Sequence, residues 1–295
     1  MTNNNESSET SQQKQRVSGL FDRVANTFDH VGPRFFSHFG RRLVELAHIP
    51  SGAHVLDVAT GRGAALFPAA KSVGTQGRVV GIDLSEGMVQ ETAKELARLG
   101  LSPNAEVRQM DAEHLQFPDE SFDYVLCAFG IFFFPQLDRA MSEFRRVLRP
   151  NGKIVVTTWE KSFEEQQAWF DDIAKTYLPP EPEENEVAES ESASQPVFDT
   201  PEGLEAIMND ADFIDVQIIS EAADFVYATE EEYWSTLWSH GGRVTLEKIE
   251  QAVGADGLER FKIDIFKKVQ TIKQPDGIHQ LFPVLFALAT KGEIV

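Results

Sequence analysis

Three aspartates and a glycine-bearing turn are the residues whose types and spacing could do chemistry together. Asp57 lies inside a short apolar run, Asp83 and Asp111 close the next two apolar runs, and Gly61 lies in the turn at residues 60–63. Glycine lacks a Cβ, so the backbone N–H groups of such a turn can approach a ligand closely. A carboxylate at Asp83 can accept hydrogen bonds from two ribose hydroxyls, and one at Asp111 can accept from an adenine amino group. The set predicts a site for a nucleoside-bearing ligand.

A dinucleotide is a weaker candidate for this ligand. The dinucleotide pattern G-x-G-x-x-G places a third glycine where the helix packs on the strand, and here Leu66 takes that position. Asp57 also stands four residues before Gly61, where its charge would repel a diphosphate. A ligand with an amino group and a sulfonium cation would tolerate that carboxylate far better. A nicotinamide-dependent oxidoreductase therefore remains only a less favoured alternative.

The elements that must position these residues alternate between strands and helices. The runs rich in Val and Ile are residues 54–59, 78–84, 105–110, 122–129 and 153–159. Helical patterns separate them, and in one of these Ser85 suits an N-cap and Gly100 a C-terminal stop. This alternation predicts a doubly wound, mostly parallel α/β sheet with right-handed crossovers, in which the three acids line one crevice at the carboxyl ends of the strands.

The composition of successive segments predicts how the chain is divided. We expect a disordered tail at residues 1–14, N-terminal lid helices at 15–50, the ligand-binding core at 51–160, a helical substrate-side region at 161–278 with a mobile acidic loop at about 179–197, and a closing strand at 279–295. Pro283 is expected at the start of that strand or on a sheet edge.

Four motifs together resemble one protein family. DVATGRG, VVGIDLSEGM, MDAEHLQFPDESFDYVLCAFGIFFFP and EFRRVLRPNGKIVVTTW are similar to the successive motifs of class I S-adenosylmethionine-dependent methyltransferases, especially the branch of the ubiquinone/menaquinone-biosynthesis C-methyltransferases and related small-molecule enzymes. The resemblance covers about residues 20–160. It implies a Rossmann-like, mostly parallel seven-stranded sheet with an antiparallel last strand, and S-adenosyl-L-methionine as the cofactor.

The resemblance also implies roles for ten residues. Position by position, the methionine part would be held by Asp57, Ala59, Thr60 and Gly61, the ribose by Asp83, and the adenine by Leu84, Met88, Asp111 and Ala112, with the Phe129 carbonyl near the cofactor's amino group. Ala59 departs from the common pattern, which has a glycine there.

Aromatic residues outside the core predict the substrate side. Phe28, Phe36, Phe132, Trp234 and Trp238 could wall a pocket for a small apolar or aromatic molecule. A general base is needed only if the acceptor must lose a proton. The histidines nearest these segments, and so the candidate bases, are His30, His38 and His240.

Charge and composition restrict the partners. The formal charge of −20 argues against binding a nucleic-acid backbone, and the seven histidines and single cysteine show no metal-ligand spacing. No apolar stretch approaches the length of a bilayer span, and the polar N-terminus lacks a signal-peptide core. We expect a cytoplasmic monomer or homodimer that methylates a small molecule. A non-catalytic S-adenosylmethionine-binding regulator is the alternative from a different class.

Overall fold

A computed structural model describes the backbone of residues 3–180 and 197–293, and side chains from residue 9 onward. Most of the predicted acidic loop at about 179–197 therefore lies outside the described residues. Within the part described, no helix has an apolar stretch long enough to cross a membrane.

One sheet contains every strand that the structure describes. The strands are β1 (His54–Val58), β2 (Arg78–Asp83), β3 (Ala105–Gln109), β4 (Phe122–Ala128), β5 (Leu148–Trp159), β6 (Phe213–Tyr227), β7 (Lys273–Gln274) and β8 (Gly277–Lys291). Their order is β3-β2-β1-β4-β5-β8-β6, and the two-residue β7 pairs with β8. Strands β1 to β5 are parallel, whereas β8 is antiparallel to both β5 and β6. The predicted doubly wound sheet with an antiparallel last strand is confirmed.

Helices connect and cover these strands. They are α1 (Asn3–Val24), α2 (Phe35–Ala47), α3 (Leu66–Val73), α4 (Glu86–Arg98), α5 (Leu137–Val147), α6 (Lys161–Lys175), α7 (Pro201–Asp210), α8 (Glu230–Ser239) and α9 (Arg243–Gln270), the last kinked at Gly254. At α4 the predicted caps are confirmed. The Ser85 hydroxyl accepts a hydrogen bond from the Met88 N–H, and Gly100 has a φ of +69° beyond the last turn.

The core lies on both faces of the sheet because successive strand side chains point to opposite sides. On one face Leu56 and neighbouring strand residues pack against Phe144 of α5. On the other face Val55 and its neighbours pack against Phe39 and Leu43 of α2. A third cluster, centred on Phe261 of α9, joins helices α6, α8 and α9 above the sheet.

The two ends of the chain differ from the sequence predictions. The expected disordered tail at residues 1–14 is wrong from Asn3 onward, because these residues extend α1. Lys14 forms ion pairs with Asp111 and Glu113 and so fixes this helix against the sheet edge. Pro283 lies inside β8, opposite Ala222 of β6, and therefore neither begins the strand nor lies on an edge.

Candidate functional site

One continuous cavity of about 350 Å³ runs along the carboxyl edge of the sheet. Because β8 is antiparallel to both of its neighbours, β6 points the same way as β5, and its last residue, Tyr227, reaches this edge too. Following the strand order, the residues at or near these strand ends that line the cavity are Asp111, Asp83, Thr60, Phe129, Trp159, Phe282 and Tyr227. Each strand of the main sheet therefore contributes to one chamber.

The turn after β1 has left-handed backbone at three positions. The φ angles are +53° at Ala59, +50° at Gly61 and +80° at Gly63. A Cβ at Gly61 would meet no atom within 4 Å, so the constraint there is conformational, and the turn leaves open space beside its backbone. Ala59 adopts a left-handed conformation that glycine takes without strain. This explains why the family motif that residues 57–63 resemble usually has glycine at this position.

Asp57 is buried with one oxygen unsatisfied. Its Oδ2 accepts a hydrogen bond from Thr60 Oγ1 at 2.5 Å, and its Oδ1 has no partner in the part of the chain described. Burial raises the pKa of this carboxyl to about 7, with the negative charge of Asp83 adding to the effect. A buried acceptor without a donor is costly, so a cationic donor in the cavity would relieve this strain.

Asp83 is held by backbone donors at the end of β2. Its Oδ2 accepts from the Gly61 N–H at 2.8 Å, and its Oδ1 accepts from the Ser85 N–H at 2.9 Å. Burial nevertheless raises its pKa to about 6. These bonds fix the carboxylate beside the glycine turn, and each oxygen keeps a second lone pair for a ligand hydroxyl.

Asp111, after β3, is already paired with a cation that the sequence prediction missed. Lys14 Nζ lies 2.8 Å from Asp111 Oδ2, while Asp111 Oδ1 accepts from the Glu113 N–H at 2.9 Å. Burial is the largest single effect and raises the pKa of Asp111, but the hydrogen bonds from Lys14, the Glu113 N–H and His114, together with the charge of Lys14, lower it overall. Ligand oxygens or nitrogens of Asp111, Glu113 and His114 lie within 4.8 Å of one another, and the Lys14 ammonium binds the two acids.

Helix α1 contacts the loops after β1 and β2 as well. Asp22 Oδ1 accepts from Ser85 Oγ at 2.6 Å and from the Gly87 N–H at 2.9 Å. The Arg62 guanidinium donates to the Ala25 carbonyl just beyond the end of α1. With the Lys14 contact, α1 is therefore tied to all three strand ends that carry the predicted cofactor residues.

The structure brings together all of the residues predicted to bind the cofactor. The cavity is lined by Asp57, Ala59, Thr60, Gly61, Asp83, Leu84, Met88, Asp111, Ala112 and Phe129. Their individual roles remain predictions, but the shared location is what those roles require.

The aromatic half of the site is only partly as predicted. Phe28, Phe36 and Phe132 line the cavity. Trp234 and Trp238 do not, and this part of the prediction is wrong. Trp234 packs into the helical cluster with its ring 6.1 Å from that of Phe261, and Trp238 lies under the Arg243 guanidinium.

Other aromatic residues take the place of these tryptophans. Trp159, at the end of β5, lies 4.2 Å from the Phe129 ring and is stacked on Phe163 at 4.7 Å. Phe35 is stacked on Phe282 at 4.6 Å. The position of Trp159 at a strand end was a usable sequence signal, whereas Phe282 depends on where β8 lies in the sheet.

Of the three candidate bases, only His240 reaches the cavity. His30 and His38 are exposed and do not line it. His240 Nε2 accepts a hydrogen bond from the Asp29 N–H at 3.2 Å, and Nδ1 lies 2.9 Å from the Thr236 carbonyl, so Nδ1 carries the proton. Burial lowers the pKa of His240 to about 4. Both ring nitrogens are therefore engaged, and the ring is neutral near pH 7.

The fold and this chamber together define a class of protein: a doubly wound α/β protein with a ligand-sized cavity at the carboxyl ends of its strands. Residues 55–152 match the family model described as "Methyltransferase domain". The nocamycin O-methyltransferase of Saccharothrix syringae is 34% identical over 78% of this chain and 84% of its own length. The chain therefore belongs to the class I S-adenosylmethionine-dependent methyltransferases, whose cofactor is S-adenosylmethionine.

Two further similarities agree with this assignment. The aklanonic acid methyltransferase DauC of Streptomyces sp. (strain C5) is 41% identical over 49% of this chain, a match that spans 66% of that relative, slightly under two thirds of its length. The crystal structure of the YcgJ protein from Bacillus subtilis matches with a TM-score of 0.55 and 17% identity, over 87% of this chain and all of that one, and supports the fold alone.

The residues present fit this cofactor. Its α-ammonium group would supply the hydrogen-bond donor that the buried Asp57 Oδ1 lacks. The open space beside Gly61 accommodates a close approach to the backbone, and the second lone pairs of Asp83 can accept from ribose hydroxyls.

Proposed function

We propose that this protein transfers a methyl group from S-adenosylmethionine to an acidic oxygen of a small apolar or aromatic molecule. One observation carries the proposal: the three acids at the β1–β3 end and the aromatic rings at the β4, β5 and β8 ends line the same cavity. A cofactor and an aromatic acceptor can therefore meet without leaving the protein.

In this proposal the cofactor side orients the methyl donor. Asp57 holds the α-ammonium group, Asp83 the ribose hydroxyls, and Met88 and Leu84 contact the adenine, all from the cavity wall. When bound, the cofactor supplies an electrophilic methyl group on a sulfonium. The protein's contribution is to align the acceptor in line with that methyl group and to exclude water.

The aromatic rings serve that alignment. Phe36 lies edge-on to Phe129 with centroids 5.2 Å apart, and Trp159 contacts both. Rings in this arrangement offer flat apolar surfaces on which an aromatic acceptor can stack. Phe129 and Trp159 lie at the ends of β4 and β5, beside the strand ends assigned to the methionine part of the cofactor, and Phe36 belongs to α2.

Two observations support an acidic oxygen as the acceptor. His240 is the one of the three candidate histidines that lines the cavity. Both of its nitrogens are engaged and its pKa is lowered to about 4, so it is poorly suited to remove a proton. An oxygen acid that ionises unaided needs no base. The relative that matches 78% of this chain is named an O-methyltransferase, and the other is named for an acid.

The proposal is tested by incubating the protein with methyl-labelled S-adenosylmethionine and fused-ring aromatic compounds that carry a carboxyl, hydroxyl or amino group. We expect label in the carboxyl and hydroxyl compounds, located by mass spectrometry as an ester or ether. Asp57→Asn should abolish transfer, whereas Asp123→Asn, outside the cavity, should retain it. Label on the amine would contradict the oxygen acceptor, and cofactor binding with no transfer to any compound would favour the non-catalytic alternative.

A further inference from the structure

The cavity has a second polar region at the end farthest from Asp111. It is formed by Gln167, Tyr227, Tyr233 and Gln280, which we call the distal polar site. None of these four side chains is hydrogen-bonded to another group in the residues described, and none of their polar atoms is fully buried without a partner. The assigned cofactor groups use none of them, so they require a separate explanation.

Four different elements bring these side chains together. Tyr227 ends β6, Gln280 lies near the start of the antiparallel β8, and Tyr233 lies in α8. Gln167 follows Phe163 by one helical turn on α6, and both line the cavity. Because the start of an antiparallel strand meets the ends of its neighbours, two strands and two helices converge on one place.

The two tyrosines are buried and touch each other. Tyr227 is 3% and Tyr233 4% exposed, and their rings lie edge-on with centroids 5.1 Å apart. Burial raises the pKa of both hydroxyls above the usual value, so they remain neutral donors at physiological pH. With two amides beside them, the distal polar site offers both donors and acceptors but no charge.

The cations of the cavity lie at its other end. Lys14 is paired with Asp111 and Glu113, and Arg62 donates to the Ala25 carbonyl. A carboxylate or phosphate at the distal polar site would therefore be desolvated without a positive partner, which is unfavourable. A carbonyl or an un-ionised hydroxyl would lose less hydration free energy than an anion, and it would gain hydrogen bonds from the tyrosines and amides.

We propose that the distal polar site selects substrates that carry a neutral oxygen substituent at the end remote from the methylated atom. This inference rests on the proposed function and specifies its substrate class. Neighbouring strands lie about 4.8 Å apart, so the three steps from β4 to β6 span about 14 Å across the sheet. The span to the distal polar site is longer, because Tyr227 lies six residues beyond Glu221, which is level with Trp159. A fused aromatic frame with oxygen at both ends therefore fits better than a single ring.

The distal polar site can discriminate strongly, because a substrate without the oxygen leaves its buried polar groups without hydrogen-bond partners. A site built to hydrogen-bond an oxygen discriminates against the analogue that lacks it, since buried polar groups then lose both solvent and partner. The phenylalanines and Trp159 provide contact area for any flat apolar molecule. The distal polar site would decide which of those molecules is bound productively.

The test compares three probes that share one acceptor carboxylate. They are anthracene-2-carboxylate, 6-hydroxyanthracene-2-carboxylate and anthracene-2,6-dicarboxylate, titrated calorimetrically into protein saturated with S-adenosylhomocysteine. We expect the hydroxyl probe to bind about fivefold to tenfold more tightly than the parent, the gain from one or two net hydrogen bonds. The dicarboxylate should bind more weakly than the hydroxyl probe.

Matched variants assign that difference to the tyrosines. The double variant Tyr227→Phe with Tyr233→Phe should remove the advantage of the hydroxyl probe over the parent, and the parent should bind at least as tightly as it does to the wild type, because it no longer leaves two buried hydroxyls unpaired. Tyr124→Phe makes the same chemical change outside the cavity and should leave the advantage intact. An equal affinity of all three probes, a preference for the dicarboxylate, or an advantage that survives the double variant would overturn the inference.

Failure of the proposed function gives a different result. It would appear as the absence of methyl transfer to any compound, whereas failure of this inference leaves transfer intact and removes only the selectivity. If the protein binds S-adenosylhomocysteine but none of the three probes, both the aromatic substrate and the distal polar site are contradicted.

Discussion

Replacing Asp57 with asparagine should stabilise the cofactor-free protein at alkaline pH while removing its function. Asp57 is 1% exposed, and burial raises the pKa of its carboxyl from 3.8 to about 7. Its ionised form is therefore disfavoured in the folded chain, and Oδ1 has no hydrogen-bond partner among the described residues to compensate. Asparagine has nearly the same shape and cannot ionise, so it removes this cost.

The size of the effect follows from the pKa difference. A shift of about three units at about 1.4 kcal/mol per unit gives about 4 kcal/mol of unfolding free energy. The folded pKa is the higher one, so the wild-type protein keeps this stability below about pH 4 and loses it as the pH rises through about 7. Asp57→Asn should therefore match the wild type near pH 4 and exceed it by about 2–4 kcal/mol at pH 8.

Urea denaturation of both proteins without cofactor, at pH 5 and pH 8, measures this difference. Asp123→Asn is the matched control. At Asp123 burial raises the pKa of the carboxyl, but hydrogen bonds from the His54 N–H at 2.8 Å and from Arg149 at 2.6 Å, with the charge of Arg149, together lower it. Asp123→Asn should therefore be less stable than the wild type at pH 8, whereas Asp57→Asn should be more stable.

Two results would refute the reasoning. One is a difference in unfolding free energy between Asp57→Asn and the wild type that is the same at pH 5 and pH 8. Proton linkage requires this difference to increase with pH. The other is destabilisation of Asp57→Asn at pH 8, which would mean that the charged carboxylate is favourable in the fold. In either case Asp57 would not be held as an under-satisfied acceptor.

Three further outcomes are expected. Calorimetry should show S-adenosylmethionine binding about tenfold more tightly at pH 8 than at pH 6, because Asp57 must be ionised to accept from its ammonium group; a flat profile would contradict this. Gly40→Ala should cost about 1–3 kcal/mol in urea denaturation, since its Cβ would lie 2.5 Å from the Ala64 carbonyl carbon. Between pH 6.5 and 4.5 the unfolding free energy of the wild type should fall by about 2–3 kcal/mol more than that of His240→Gln. The reason is that the buried His240 stays neutral, with a pKa of about 4, while the unfolded chain takes up the proton. Equal losses in the two proteins would show that His240 is already free to ionise.

Local sequence patterns were sufficient for the cofactor half of the site. Asp57 lies within one strand, Asp83 ends the next and Asp111 follows the third. Each of these strands is recognisable over a few residues, and parallel strands bring their carboxyl ends together. The cap at Ser85 and the turn at Gly61 depend only on neighbours in sequence. These features could be predicted because the fold repeats one local unit three times.

The substrate half depends on long-range packing that no local pattern encodes. Trp234 and Trp238 lie on a helix with apolar residues on more than one side, and the contact with Phe261 of α9 decides which side is buried. Lys14 lies in a polar run typical of a disordered tail, yet its partner Asp111 is 97 residues away. Burial and pairing of this kind appear only in the folded chain.

The antiparallel β8 explains why one cavity can serve both substrates. β8 lies between β5 and β6 and is antiparallel to both. Inserting β8 between them brings the start of β8, with Gln280 and Phe282, to the same edge as Tyr227 at the end of β6. The cofactor half is then built from β1 to β3 and the substrate half from β8, β6 and the helices beside them. Substitutions at the distal polar site should therefore change substrate selection while leaving Asp57 and Asp83 in place.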